Sequence, residues 1–244
     1  MNWLFLSSGT NSGIFNMETD LFLAKNCEPD KAVFRLYKWE PYCISLGANQ
    51  DSNIINYNET KKDNIDIVAR PTGGRAILHA EEITYSVIYP ISTDTSAKEL
   101  YSEINLALKT GLEKFNQKLK DIELEAEQPD FSSIYKENSG AICFATSAKS
   151  ELKYSGKKLA GSAQRKFKNS ILQHGSILCG SFHKRIIDYL NINEEEKEKI
   201  KVELTEKTIE LQSILKKDIN YELLSEALVI GFKEYFNISS MQLV

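Results

Sequence analysis

The pattern of apolar and polar positions predicts strands and helices interleaved over about the first three quarters of the chain, with helices closing it. Trp3 to Ser7 reads as a strand, and Asn16 to Ala24 has the spacing of an amphipathic helix whose apolar face carries Met17, Leu21 and Ala24. Ala32 to Trp39 alternates in part and predicts a strand. Cys43 to Leu46 predicts another, broken by Gly47, and a short helix is expected to start within Asp51 to Tyr57. Ile65 to Ala69 and Ile83 to Tyr89 read as strands bracketing a glycine-rich run, with Pro90 ending the second. The strongest helix is Ala97 to Phe115, where Ala97, Leu100, Tyr101, Ile104, Leu108, Leu112 and Phe115 recur at helical spacing. Asp121 to Glu127 is a weak strand, Glu151 to Gln164 a hairpin turning at Ser155-Gly156, and Ile171 to Leu178 a further strand. From Phe182 the pattern turns helical and charged, through a solvated face at Glu194–Lys201 and on to Tyr221–Phe236. The expectation is a single α+β (mixed α/β) domain with a helical C-terminal tail.

Composition sharpens this only in places. A chain of 244 residues with 42% hydrophobic content can bury one full core. Its net charge of −4 argues against broad nucleic-acid binding. Cys27, Cys43, Cys143 and Cys179 show no CxxC pair and no Cys/His zinc spacing, so reduced thiols and no metal site are expected. Met1–Leu6 is too short for a signal h-region, and no apolar run approaches bilayer length. A cytoplasmic protein without membrane or nucleic-acid partners is the expectation.

The richest chemistry lies in Arg70-Pro71-Thr72-Gly73-Gly74-Arg75-Ala76-Ile77-Leu78-His79. Paired glycines permit close or left-handed backbone, and consecutive N–H groups there can form an anion-binding nest beside two arginines. A plain Pro-Gly loop with solvated arginines fits the same letters. Cys143 lies in a small-residue stretch, Ser139 to Thr146, where a thiol is reachable, whereas Cys43 sits inside an apolar strand and reads as core. Fifteen residues on comes Lys158. If its arm of the hairpin is a strand, Lys158, Ala160 and Ser162 share one face. An ammonium there would favour a nearby thiolate, the nucleophilic form; a solvent-facing hairpin lysine is the competing reading. His174 interrupts an apolar strand as a base or as a hydrogen-bonded structural histidine. The chain carries no His-x-Glu, Walker or GxSxG pattern.

Taken in order, Asn16-Met17-Glu18, Trp39-x-Pro41, Ser45-Leu46-Gly47-x-Asn49-Gln50, the Arg70–His79 run, Thr84-Tyr85-Ser86, Gly156–Gln164 and Gln173-His174-Gly175-Ser176 resemble the lipoate–protein ligase and octanoyltransferase family over roughly residues 1 to 180. The resemblance implies a biotin/lipoyl protein ligase-like catalytic fold, mixed sheets flanked by helices. It also implies one catalytic domain, 1–244, with a core at 1–180, a helical extension at 181–244 and no ligase-type accessory domain.

Three activities compete within that family: ATP-dependent lipoate ligases, octanoyltransferases, and amidotransferases that move octanoyl or lipoyl between proteins. Arg75 stands where the ligases carry a third glycine, and Cys143-Phe144 resembles the LipM-type octanoyltransferases. Ala69 replaces the first of two arginines common in the family. The resemblance therefore implies transfer of octanoyl from octanoyl–acyl carrier protein to a lysine of lipoyl domains or glycine cleavage H protein, by a monomer without ATP or another cofactor. A non-catalytic lipoyl-domain binding module is the alternative from outside enzymology.

The residue roles it implies are Cys143 as nucleophile and Lys158 as its partner. The substrate-binding set would be Arg70, Thr72, Gly73, Gly74, Arg75, His79, Gly161, Ser162, Ala163 and His174. An apolar slot for the acyl chain is expected around Ile77, Val87 and Leu159, and Arg165-Lys166-x-Lys168 could dock acidic protein partners.

Overall fold

The computed structural model describes residues 1–92, 95–126 and 150–243, so Cys143 and the end of the weak strand at Glu127 lie outside the described residues. Its frame is a six-stranded sheet in the order β10-β11-β6-β2-β1-β12. These strands are β1 (Asn2–Asn11), β2 (Lys31–Trp39), β6 (Glu82–Pro90), β10 (Ala160–Lys166), β11 (Ser170–Leu178) and β12 (Met241–Leu243). β10, β11, β6 and β2 pair antiparallel in turn; β2, β1 and β12 pair parallel. Two three-stranded sheets flank it. One joins β3 (Cys43–Leu46), β4 (Asp66–Ala69) and β5 (Ile77–His79), the other β7 (Ile122–Leu124), β8 (Leu152–Tyr154) and β9 (Lys157–Lys158).

The strand period of two divides β2 between two environments. Ala32, Phe34 and Leu36 enter the main core, where they meet α3 (Ala97–Phe115) and the closing helix α6 (Tyr221–Tyr235). Val33, Arg35, Tyr37 and Trp39 face the other way, toward α1 (Gly13–Lys25). Between these lie α2 (Tyr57–Lys62), α4 (Glu194–Lys207) and α5 (Leu211–Leu215). The helices begin where capping side chains allow. Ser96 accepts the Glu99 N–H at the start of α3, and Asn193 with Glu196 forms a capping box on α4.

α3 matches its predicted span residue for residue. Other elements differ for identifiable reasons. The hairpin expected over Glu151–Gln164 is not one ladder: β8 pairs with β9, then at Leu159 the chain crosses to the large sheet and pairs with β11. Leu159 bridges the two, donating its N–H to Leu152 and accepting from Leu178. Asp51–Tyr57 forms a 3-10 turn at Ser52–Ile54, and the helix proper starts only after the Asn56 cap.

On α1 the buried face carries Asn16 and Asp20 with Met17 and Ala24, while Leu21 is only half-buried. The C-terminal segment holds a strand, β12, besides its helices, and it shares the main core. Leu224, Leu228 and Phe232 of α6 pack there, with Phe232 stacked on Phe34 at 4.1 Å between ring centroids. Among the described residues no helix is long and apolar enough to cross a membrane.

α3 and α6 cross at a pair of glycines. A Cβ on Gly231 would sit 2.1 Å from the Gly111 nitrogen, and one on Gly111 would sit 2.6 Å from the Leu228 Cα. The obstacle is backbone on both sides, so neither helix can yield without moving the other. Gly231→Ala is expected to lower stability by about 1–3 kcal/mol through overpacking, outweighing alanine's better helix propensity. Urea denaturation checks this: an unchanged midpoint would show that the crossing has slack.

Candidate active site

A cavity opens on the α1 side of the large sheet, with about 450 Å³ of empty space between its walls counting that open to solvent. Tyr37 and Trp39 of β2, Thr84 of β6 and Ser176 of β11 give it one wall. Met17 of α1, with Ser45 and Ile77 of the small sheet, closes it from the other side. Most of its exposed surface is apolar.

Seven of the residues expected at the site line this cavity: Arg70, His79 and Lys158, then Gly161, Ser162, Ala163 and His174. The chain's crossing at Leu159 delivers Lys158 and the 161–163 backbone to the same wall. Thr72, Gly73, Gly74 and Arg75 are not part of it. Ile77 lines it as expected of the acyl slot, but Val87 and Leu159 belong to the main core. Strand alternation explains Val87, which points to the opposite face of β6 from Thr84.

The glycine loop folds around the Arg70 side chain. The guanidinium donates to the carbonyls of Ser45, Gly73 and Arg75 at 2.8–3.2 Å, and to the Ser45 hydroxyl at 3.0 Å. Gly74 adopts φ +100°, and its carbonyl lies where a Cβ on Gly47 would come within 1.9 Å, so the approach of the two loops requires glycine at 47. Thr72 instead reaches across the loop, its Oγ1 2.6 Å from His174 Nε2.

Beneath the cavity lies a buried polar network. The side chains of Arg35 and Asp20 have no exposed surface and pair at 2.7 Å. Asp20 Oδ1 also accepts from Ser86, while Oδ2 accepts from the Tyr37 hydroxyl and stands 3.2 Å from His174 Nδ1. Burial raises the Asp20 pKa, but the His174 hydrogen bond and the Arg35 charge outweigh it and hold the carboxyl below its ordinary value. Burial lowers the His174 pKa against the pull of Asp20, so the ring is neutral at pH 7. The neutral ring donates from Nδ1 to Asp20 and accepts the Thr72 hydroxyl at Nε2.

His79 is similarly engaged. It meets Ser45 Oγ through Nε2 and Glu82 Oε1 through Nδ1, both at 2.8 Å, and stacks on Trp39 at 4.2 Å. Lys158 differs from both. It lines the cavity with about 2% of the residue exposed, and its ammonium is 2.9 Å from Glu151 Oε2. Glu151 also accepts the Ser162 backbone N–H at 2.9 Å.

Asp20, Arg35 and Glu151 were not singled out from the sequence. Asp20 could have been, because it falls three residues after Met17 and four before Ala24 on the buried face of α1. Glu151 precedes a two-turn excursion of backbone and carries no such signal. Cys43 and Cys179 are buried, and burial pushes both thiols well up. Arg165 donates to the Pro71 carbonyl at 2.7 Å while remaining exposed at the sheet edge.

The family model described as the lipoyl protein ligase A/B catalytic domain matches residues 12–233. A protein named octanoyltransferase LipM from Exiguobacterium sp. is 32% identical, over 99% of this chain and 89% of its own length. One of the same name from Lysinibacillus sphaericus is 33% identical, over 97% and 87%. The solved structure of a bipartite lipoate protein ligase from Thermoplasma acidophilum superposes with a TM-score of 0.78 at 19% identity, covering 100% of this chain and 88% of that one. That likeness shows the fold.

Two expectations follow from the buried network. Asp20→Asn leaves Arg35 without its counter-charge and should cost about 3–5 kcal/mol. The folded pKa of His174 lies below the unfolded value of about 6.5, so its contribution is present above that pH and is lost as pH falls below it. His183, also buried and lowered to about 4, adds a loss of the same sign over the same window. Urea midpoints should therefore drop from pH 7 to pH 5, and His174→Gln should flatten that drop. A slope unaffected by the substitution would remove His174 from the acid response.

Proposed function

The chain belongs to the lipoyl protein ligase A/B catalytic domain family, and on that premise we propose that it is an octanoyltransferase of protein lipoylation, working through a cysteine acyl-enzyme without ATP. The observation that carries the reading is Lys158, a buried lysine lining an apolar cavity, in a chain aligned almost end to end with proteins of that name. A cationic donor beside an apolar slot suits acyl transfer: the slot holds the chain, and the donor meets the charge that develops on the carbonyl oxygen.

In this reading the Cys143 thiolate attacks the thioester carbonyl of octanoyl–acyl carrier protein. The new carbon–sulfur bond forms as the carrier's thiolate leaves and takes a proton. The amine of an acceptor lysine, on a lipoyl domain or glycine cleavage H protein, then attacks the acyl-enzyme, forms an amide and returns the thiol to Cys143. Thioester exchange is nearly thermoneutral and aminolysis runs downhill, so neither step calls for nucleotide. Lys158 donates to the oxyanion in both. Met17, Trp39 and Ile77 offer apolar surface to the chain. Burying about seven methylenes at roughly 0.8 kcal/mol each yields about 5–6 kcal/mol, enough to select for length. The exposed Arg165, Lys166 and Lys168 suit an acidic carrier or acceptor.

Intact-mass analysis tests the proposal. Incubated with octanoyl–acyl carrier protein and no ATP, the protein should gain one octanoyl group and pass it to an apo lipoyl domain; Cys143→Ser should gain none. Lys158→Ala should slow acylation about 10²- to 10³-fold. Product formed only from free octanoate with ATP, undiminished in Cys143→Ser, would refute it. Absence of both adduct and product would leave a binding module.

A further inference from the structure

The two cations among the residues lining the cavity are engaged differently within the fold: Lys158 by a carboxylate, Arg70 by neutral acceptors. Lys158 is paired to Glu151 at 2.9 Å, both residues about 2% exposed. Arg70 gives its N–H groups to the carbonyls of Ser45, Gly73 and Arg75 and to the Ser45 hydroxyl. The histidine at the far end, His174, is neutral. At Lys158 a ligand entering this cavity therefore meets a hydrogen-bond donor whose charge is already paired.

That balance sorts ligands by charge. A carboxylate must leave water, and only a net attraction inside can offset the cost. Here whatever it gains from Lys158 is opposed by Glu151, one ion-pair distance away and in the same low-dielectric surroundings. A thioester or amide carbonyl carries no charge, loses far less on leaving water, and can still accept a hydrogen bond from the lysine.

Glu151 is held in place for this. One carboxylate oxygen takes the ammonium; the other takes the Ser162 N–H at 2.9 Å and faces the Tyr101 hydroxyl at 3.4 Å. Tyr101 in turn donates to the Ser162 carbonyl at 3.2 Å. The carboxylate thus fixes the ammonium relative to the very backbone, 161–163, that lines the cavity.

We infer that Glu151 is a positioning and specificity residue, which holds Lys158 charge-compensated so that the cavity takes neutral acyl groups and refuses the free carboxylate. This rests on the acyl-transfer reading for its biological sense, but its test does not need turnover. Calorimetric titration of the whole protein at pH 8 should show octanamide binding at least tenfold more tightly than octanoate. Glu151→Gln keeps the size and the acceptor for Ser162 while removing the charge, and should gain at least tenfold in octanoate affinity with little change for octanamide. Glu151→Asp, which keeps the charge, should gain none, and thermal melts of both variants report their folding.

Equal binding of octanoate and octanamide by the unmodified protein would overturn the inference without any variant. So would a folded Glu151→Gln that gains nothing for octanoate. If the protein discriminates as expected yet transfers no octanoyl group, the charge rule stands and the transferase reading falls. In the transfer assay, Glu151→Gln should lower kcat at least tenfold while leaving KM for the octanoyl carrier nearly unchanged.

Discussion

A guanidinium with no exposed surface must bring its counter-charge into the fold, and Arg35 does so through Asp20. The pair spans two elements, the central strand β2 and the helix α1 laid over it. Because Asp20 also gathers Ser86 of β6, Tyr37 of β2 and His174 of β11, one carboxylate ties three strands to one helix. Such a pair orients more than it stabilises, since an apolar pair of equal volume would cost less to desolvate. Its consequence is geometric: α1 has one depth and one rotation on the sheet, and Met17 is thereby fixed at the cavity wall.

The cavity itself is the gap left where α1 ends its cover of the large sheet and the small β3-β4-β5 sheet begins. Each side supplies a different property. The large sheet gives Tyr37, Trp39 and the small residues of β10 and β11. The small sheet and its loop give Ile77, Ser45 and Arg70. Arg70 acts as a clasp, gathering the carbonyls of Ser45, Gly73 and Arg75 around its guanidinium. Lys158 reaches the cavity through the crossing at Leu159 from the smallest sheet to the largest. Backbone contacts from the C-terminal segment hold that crossing: Ile209 donates to the Lys158 carbonyl at 3.0 Å.

The C-terminal residues are therefore part of the enzyme's frame rather than an appendage. α6 fills the main core against α3 and meets it at the glycine pair, and β12 extends the large sheet beside β1. Residues from α4 join the small-sheet core with Ile200 and Leu204. Both halves of the site thus lean on the last sixty residues. The expectation of a core confined to 1–180 described where the motifs lie, which is a different matter from where the packing lies.

What the sequence determined by itself was the element inventory and the family. Those are carried by local signals: helical spacing over Ala97–Phe115, strand alternation in β2 and β6, turn glycines, and an ordered set of short motifs. Lys158, His79 and the 161–163 backbone were found because they stand inside those motifs. Tertiary structure alone decided what each polar group is for. His174 and Arg70 line the cavity and are also held by Asp20, Thr72 and loop carbonyls, partners that lie up to 154 residues away. Glu151 looked like nothing and became the counter-charge of the central lysine. The reason is physical: propensity and periodicity are written over a few neighbouring residues. The cost of burying a charge is settled by whichever group the folded chain brings within three ångströms or so.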